Sequence, residues 1–413
     1  MPRSWRNSGR PGKISSLRFL QTMHISMMNS APVQLFRAFL RLGTTAFGGP
    51  ATVAYIRELA VHKKAWLNEE SFRRGVAVAQ AIPGATAMQA AAYVGLRTAG
   101  PAGALAAFLG FGFPTFVFMT ALSIAYARVH DISAVVSAFR GLHLIVVALA
   151  ANAAVRFGRS GIRNRQDVLL GLAAAAFMVL GGSPIAAILF CALAGALLFR
   201  SPEGRPNPEP RAGSRNPGRN PLSTPALLLG LSAAALALLF FTDRKLFDLA
   251  AVMLKVDLFA FGGGYASVPL MLNQVVSVHH WLDGPTFMDG IALGQVTPGP
   301  IVITATFVGY LLHGLPGAVV GTVSVFTPSF IILTLVVPYF DRMQSNPFVR
   351  GALHGALISF VGLLAAVTVR FATAVSWTVP AALLCAAAFI ALWKKIDILW
   401  VVLVGGAAAM LLF

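Results

Sequence analysis

The sequence predicts an all-α polytopic membrane protein built from two homologous, inverted-topology repeats whose helices break at Gly/Pro motifs, with about 12–13 membrane segments in all. Three observations carry this. The chain is 57% hydrophobic and only 11% charged, with a mean hydropathy of +0.75, a composition suited to a membrane interior. Several apolar runs reach the roughly 20 residues that a helix needs to cross a bilayer. Finally, a broken apolar pattern occurs twice. Phe47-Gly48-Gly49-Pro50 returns as Phe261-Gly262-Gly263-Gly264, and Gln80-Ala81-Ile82-Pro83-Gly84 returns as Gln295-Val296-Thr297-Pro298-Gly299. The offset is 214 residues for the first pair (48 to 262) and 215 for the second (80 to 295). Trp66-Leu67 and Trp281-Leu282, then Phe72 and Phe287, keep the same register between them. Paired interruptions of this kind mark a binding site, because unwound backbone at membrane depth persists only around a cavity.

In chain order, residues 1–32 form a basic N-terminal extension (Arg3, Arg6, Arg10, Lys13, Arg18). It lacks the long apolar core and small-residue cleavage site of a cleaved signal peptide. The first repeat fills 33–199. Its segments at 33–57 and 72–97 hold the breaks, those at 103–127 and 134–155 are long enough to span, and 168–182 with 184–199 make a tight helical hairpin around Gly181-Gly182-Ser183-Pro184. Residues 200–223, rich in Pro, Gly, Arg and Asn, form a flexible cytoplasmic linker. An unpaired transmembrane helix at 224–242 follows. The second repeat, 243–413, has long apolar segments at 318–340 and 351–375, then a short hairpin at 378–392 and 396–413 broken by Lys394-Lys395. With six segments in the first repeat plus the unpaired helix, an odd number precedes the second repeat and inverts it.

The net charge of +18 follows from topology, not from nucleic-acid binding, since the Lys and Arg lie between apolar segments with no aromatic-basic face beside them. Positive-inside bias places the N-terminus, 156–165 and the linker in the cytoplasm, and the C-terminus in the periplasm. Plain crossings throughout would put the basic loop 57–74 outside and the loop 273–287, which has no Lys or Arg, inside. Both placements become correct if 33–57, 72–97 and their partners are re-entrant hairpins turning at the glycines. Cys191 and Cys385 lie in apolar helices and predict neither a disulfide framework nor a metal site.

The chemistry is expected at the breaks. A helix restarting after Pro83-Gly84 or Pro298-Gly299 presents unpaired N–H groups and a positive dipole end, which suits an anion. Gly48, Gly49, Gly262 and Gly263 allow close backbone approach. Thr86, Gln89, Thr297 and Thr304 could donate to oxyanion oxygens, with Gln80 and Gln295 three residues before each proline. The competing reading is that these amides only satisfy backbone freed by the prolines. Arg41, Arg140 and Arg350 are the candidate cations, with Arg140 aligned to Arg350 through the glycine that follows each; Arg37 and Arg41, about one turn from a segment end, equally fit snorkelling to the interface, and Arg156 and Arg370, at helix ends, read as interfacial anchors. Asp257 and Asp289 are candidate proton carriers in a coupled cycle, and a local pairing of Asp257 with Lys255 stands beside that reading.

The Phe-Gly-Gly-Pro break, the Gln-x-x-Pro-Gly break followed by Val94-Gly95, and their second copies through Tyr265 and Pro300 resemble the chromate ion transporter (CHR) family over about residues 33–413. The resemblance implies an inner-membrane carrier that exports chromate, a tetrahedral dianion similar to sulfate, and so confers chromate resistance. It implies no cofactor, and it leaves the coupling ion and a homodimer open. The absence of a P-loop argues against ATP coupling within the chain. A carrier of sulfate or another oxyanion shares every feature above, an anion channel shares most, and an enzyme lacks the convergent His/Cys/Asp/Glu constellation that catalysis needs.

Overall fold

A computed structural model describes residues 30–47, 51–199 and 222–413. The basic extension, all but the last residues of the linker, and the candidate glycines Gly48 and Gly49 lie outside the described residues. The described chain is helical throughout, and equivalent helices recur in both repeats. In the first repeat α1 (Ala31–Thr45), α2 (Ala51–Arg57, continued by a π-helical turn Glu58–Lys63), α3 (Glu69–Ala81), α4 (Thr86–Val129), α5 (Ser133–Gly161), α6 (Arg165–Val179) and α7 (Pro184–Leu198) follow one another. After the unpaired α8 (Ser223–Thr242), the second repeat gives α9 (Arg244–Leu258), α10 (Ser267–Leu272, with its own π-helical turn Asn273–Val278), α11 (Gly284–Val296) and α12 (Thr304–Val336). A short α13 (Phe340–Ser345) then leads to α14 (Pro347–Thr373), α15 (Val379–Trp393) and α16 (Ile398–Leu412).

The broken segments are hairpins. Phe39 of α1 stacks on Trp66, which follows the π-helical turn after α2, with ring centroids 6.3 Å apart. In the second repeat α9 turns back into α10, and Lys255 Nζ reaches Gln274 Oε1 at 3.4 Å. α3 returns through the first limb of α4, bringing Gly75 against the Tyr93 ring, and α11 returns through α12, bringing Gly290 against the Phe307 ring. A further turn falls between the expected segments 72–97 and 103–127, and at the matching place in the second repeat. α4 is itself folded at Ala99-Gly100 (Gly100 φ 65°, ψ −156°) and α12 at His313-Gly314 (Gly314 φ 59°, ψ −147°). The reversal packs Gly95 on Gly103 and Gly309 on Gly317, backbone to backbone. Pro101 and Pro316 start the outgoing limbs, where a missing N–H is harmless.

Among the described residues, five helical stretches, those of α4, α5, α8, α12 and α14, are long and apolar enough to cross a membrane. An odd number of crossings before α9 is what inversion of the second repeat requires. The repeats also interlock. Gly195 of α7 packs on Gly351 and Gly355 of α14, Gly171 of α6 meets Gly362, and symmetrically Gly141 of α5 meets Ala409 of α16. Each terminal hairpin thus packs on the partner repeat's long helix. α5 and α14 meet between them, where Phe157 and Phe360 lie edge to face with centroids 5.1 Å apart.

Candidate functional site

The Pro83-Gly84 and Pro298-Gly299 tips meet the end of α1 at Ala46 and the break at Ala260 to Gly264. At the Pro-Gly tips Gly84 (φ 113°) and Gly299 (φ 108°) take dihedrals that favour glycine. The space beside them is filled as well, since a Cβ on Gly84 would strike the Ser329 hydroxyl and one on Gly299 the Thr115 hydroxyl. The Gly84 N–H donates to the Ala260 carbonyl at 3.0 Å, and the Gly299 N–H donates to the Ala46 carbonyl at 3.0 Å. Under the repeat offset each bond is the image of the other, so a pseudo-two-fold axis passes between them. Gly263 (φ 92°) brings its backbone to Thr86, where a Cβ would lie 2.8 Å from the hydroxyl, and Gly264 packs against Ile301. Ser329 and Thr115 are also equivalent, each following a proline inside a long helix.

The predicted residues divide by what they bond. Pro83, Gly84, Gln89, Gly263, Gln295, Thr297, Pro298, Gly299 and Thr304 are buried here, Thr86 and Gly262 are half-buried, and Gln80 is exposed. Three expected donors serve the broken backbone. Thr297 donates to the Gly294 carbonyl at 2.9 Å, Thr304 to the Ile301 carbonyl at 2.9 Å, and Gln89 Nε2 to the Pro83 carbonyl at 2.6 Å. Donors with no partner among the described residues include Gln295 Nε2 and the buried hydroxyls of Thr52, Thr115 and Thr120. The first-turn N–H groups of the limb that starts at Thr86 add to them by helix geometry. The second helix restart differs slightly, because a 3-10 turn at Ile301–Ile303 precedes α12.

Arg41 and Arg140 are exposed and Arg350 is half-buried. Matching Arg140 to Arg350 through their glycines proves to be one turn out of register. Gly141 meets Ala409 and Gly355 meets Gly195, which equates 141 with 355 and makes His354 the counterpart of Arg140. Arg156, expected as an interfacial anchor, is near enough to Tyr265 to act electrostatically on its hydroxyl. That hydroxyl in turn donates to Gln295 Oε1 at 3.4 Å.

Asp257 does not pair with Lys255. It is fully buried, and its Oδ2 accepts from both the N–H and the hydroxyl of Ser329 at 2.7 Å, while Oδ1 has no partner among the described residues. Ser329 Oγ also accepts from the Ala85 N–H at 3.0 Å, which ties the carboxylate to the start of the α4 limb. Asp289, also buried, accepts from the Tyr126 hydroxyl at 2.7 Å and bonds His143 Nε2 at 2.6 Å. Among the described residues no three His, Cys, Asp or Glu gather as a metal site. Ser329, Thr115 and Tyr265 are the site residues that sequence reasoning missed. The repeated Pro114-Thr115 and Pro328-Ser329 at the 214-residue offset was the signal available for two of them.

Comparison with known proteins gives one consistent answer. The profile described as "Chromate transporter" matches twice, over residues 33–196 and 247–410. An uncharacterized transporter of Methanocaldococcus jannaschii is 46% identical over 375 residues, 91% of this chain and 93% of its own. A chromate transport protein of Cupriavidus metallidurans is 31% identical over 91% of each chain, and one of Pseudomonas aeruginosa is 30% identical over 92% of each. No solved structure matches the chain.

Proposed function

The chain belongs to the chromate transporter family, and from that premise we propose that it is a secondary carrier exporting chromate across the bacterial inner membrane, so conferring chromate resistance. The observation that supports this best is the reciprocal pair of tip bonds, Gly84 to Ala260 and Gly299 to Ala46. They form a closed constriction at the symmetry centre, lined with backbone and hydroxyl donors suited to a tetrahedral oxyanion. The N-terminus is cytoplasmic and the C-terminus periplasmic, which also puts the Arg-rich 156–165 and Lys394-Lys395 inside. The driving force suffices without ATP. Moving a dianion outward down an interior-negative potential yields about 4.6 kcal/mol per 100 mV, twice the single-charge value.

A dianion does not leave water for neutral dipoles alone without a large penalty. Arg41, Arg140 and Arg350, with Arg156 beside Tyr265, supply the positive charge in this reading. Asp257 or Asp289 is the proton-coupling group. The site's donors recognise tetrahedral geometry and do not separate chromate from sulfate. The test is radiolabelled chromate and sulfate flux in proteoliposomes under an imposed potential. Saturable chromate flux that responds to counter-substrate is expected. Non-saturating flux would indicate a channel, and flux of sulfate without chromate would reassign the substrate.

A further inference from the structure

Arg41 has a symmetry mate in Lys255. The 214-residue offset relates the two, and the register is fixed by the reciprocal bonds of Ala46 and Ala260, each five residues further on. Both side chains are exposed. Each sits deep in a re-entrant hairpin, about 15 Å of helix rise from the start of α1 or α9 and about 7 Å short of the tip. We propose that Arg41 and Lys255 are a pair of anion-receiving cations, Arg41 in a cytoplasmic vestibule and Lys255 in a periplasmic one, with the tips as the seal between them. This rests on the reading of the chain as an oxyanion carrier with a cytoplasmic N-terminus.

A vestibule is favoured over a lipid-facing position, because a cation near the middle of a membrane helix costs about 3 kcal/mol or more against hydrocarbon. Water then reaches both residues. Neither has an acidic partner among the described residues. The contact of Lys255 Nζ is the neutral Gln274 Oε1 at 3.4 Å, which steers the ammonium without neutralising it. The same face of α1 continues as an exposed polar stripe of Gln34, Arg37, Arg41, Thr44 and Thr45 running to the tip at Ala46. On α9 the nearer end of the matching stripe is occupied by Asp248, 3.6 Å from Arg244. The cytoplasmic approach is thus the more positive of the two. Inversion of the repeats carries the equivalent cation to the opposite face. The closed tips prevent an anion at one cation from reaching the other until the hairpins part, which is an alternating-access arrangement.

The experiment measures chromate dependence of transport from each face, in inside-out and right-side-out membrane vesicles at matched expression. Arg41→Gln should raise the half-saturating concentration about tenfold at the cytoplasmic face only, the size of one charge-assisted hydrogen bond. Lys255→Gln should do so at the periplasmic face only, and Arg41→Lys and Lys255→Arg should recover most of the loss. Half-saturation unchanged at the periplasmic face in Lys255→Gln, or raised equally at both faces, would overturn the proposal. If Lys255→Gln does not insert, Lys255→Cys modified from the periplasm separates the cases. A cationic reagent should restore transport and an anionic one block it; equal effects would overturn the proposal. Wild-type vesicles carrying neither chromate nor sulfate would defeat the carrier reading itself, a distinct result.

Discussion

A valine at Gly84 would meet two obstacles at once, a backbone at φ 113° and the Ser329 hydroxyl in the place of its Cβ. The positive φ alone costs about 1–2 kcal/mol for an L residue, and overpacking adds about 1–3 kcal/mol. Because the strain falls on the tip and not on the long packed helices, Gly84→Val and Gly263→Val should abolish chromate flux while leaving most of the protein inserted and folded. Flux and size-exclusion profile measured on the same preparation check this, and normal flux from Gly84→Val would remove the special role of the backbone there. Asp257 gives a second residue-scale expectation. Ser329 faces it from α12, α8 and α10 carry no titratable side chain, and Lys255 on its own helix turns to Gln274. If the carboxyl exchanges a proton during transport, Asp257→Asn should flatten the pH dependence of flux. A pH profile identical to wild type would assign the residue to structure alone. The glycines were readable because a broken repeat leaves a mark in composition. The bonding of Gln89, Thr297 and Thr304 to nearby carbonyls was not, since an amide or hydroxyl in sequence does not show which way its proton points.

At the scale of elements, charge bias favours broken segments that return to their own side, because the basic loop at 57–74 and the uncharged loop at 273–287 fit the positive-inside rule only in that arrangement. The folds within α4 and α12 fall in the gaps between the expected segments, after 97 and before 103 in the first repeat and before 318 in the second, and the positive φ of Gly100 and Gly314 makes each a tight reversal. The hairpin arrangement predicts opposite sidedness for equivalent loops. In a chain with Cys191 and Cys385 replaced by serine, Lys64→Cys should be labelled by an impermeant thiol reagent only from the cytoplasm and His279→Cys only from the periplasm. Both positions are exposed at loops. Labelling of Lys64→Cys in intact cells would restore plain crossings.

At the scale of the whole molecule, no sequence pattern announced that the terminal hairpins exchange partners, because apolar faces on short helices fit any apolar neighbour. The consequence is mechanical. α6–α7 grips α14, with Gly195 and Gly171 giving backbone-level contact to Gly355 and Gly362, while α15–α16 grips α5 at Gly141. The Asp167 carboxylate adds a bond across this boundary, 2.9 Å from His354 Nε2, and the same carboxylate caps its own helix at Arg163 and Asn164. Each repeat expressed alone therefore lacks the cover that the other supplies to its long helix. Residues 1–221 and 222–413 produced as separate chains should each be degraded or aggregate, whereas co-expression should recover a complex and a measurable fraction of chromate flux. The contact surface is set by small residues, so Gly355→Leu should break that complex more than a leucine at the lipid-facing Val369, which is exposed on the same helix. A stable, monodisperse second half on its own would show that the exchanged hairpins are accessories, and that the pseudo-symmetric centre is held by the tips alone.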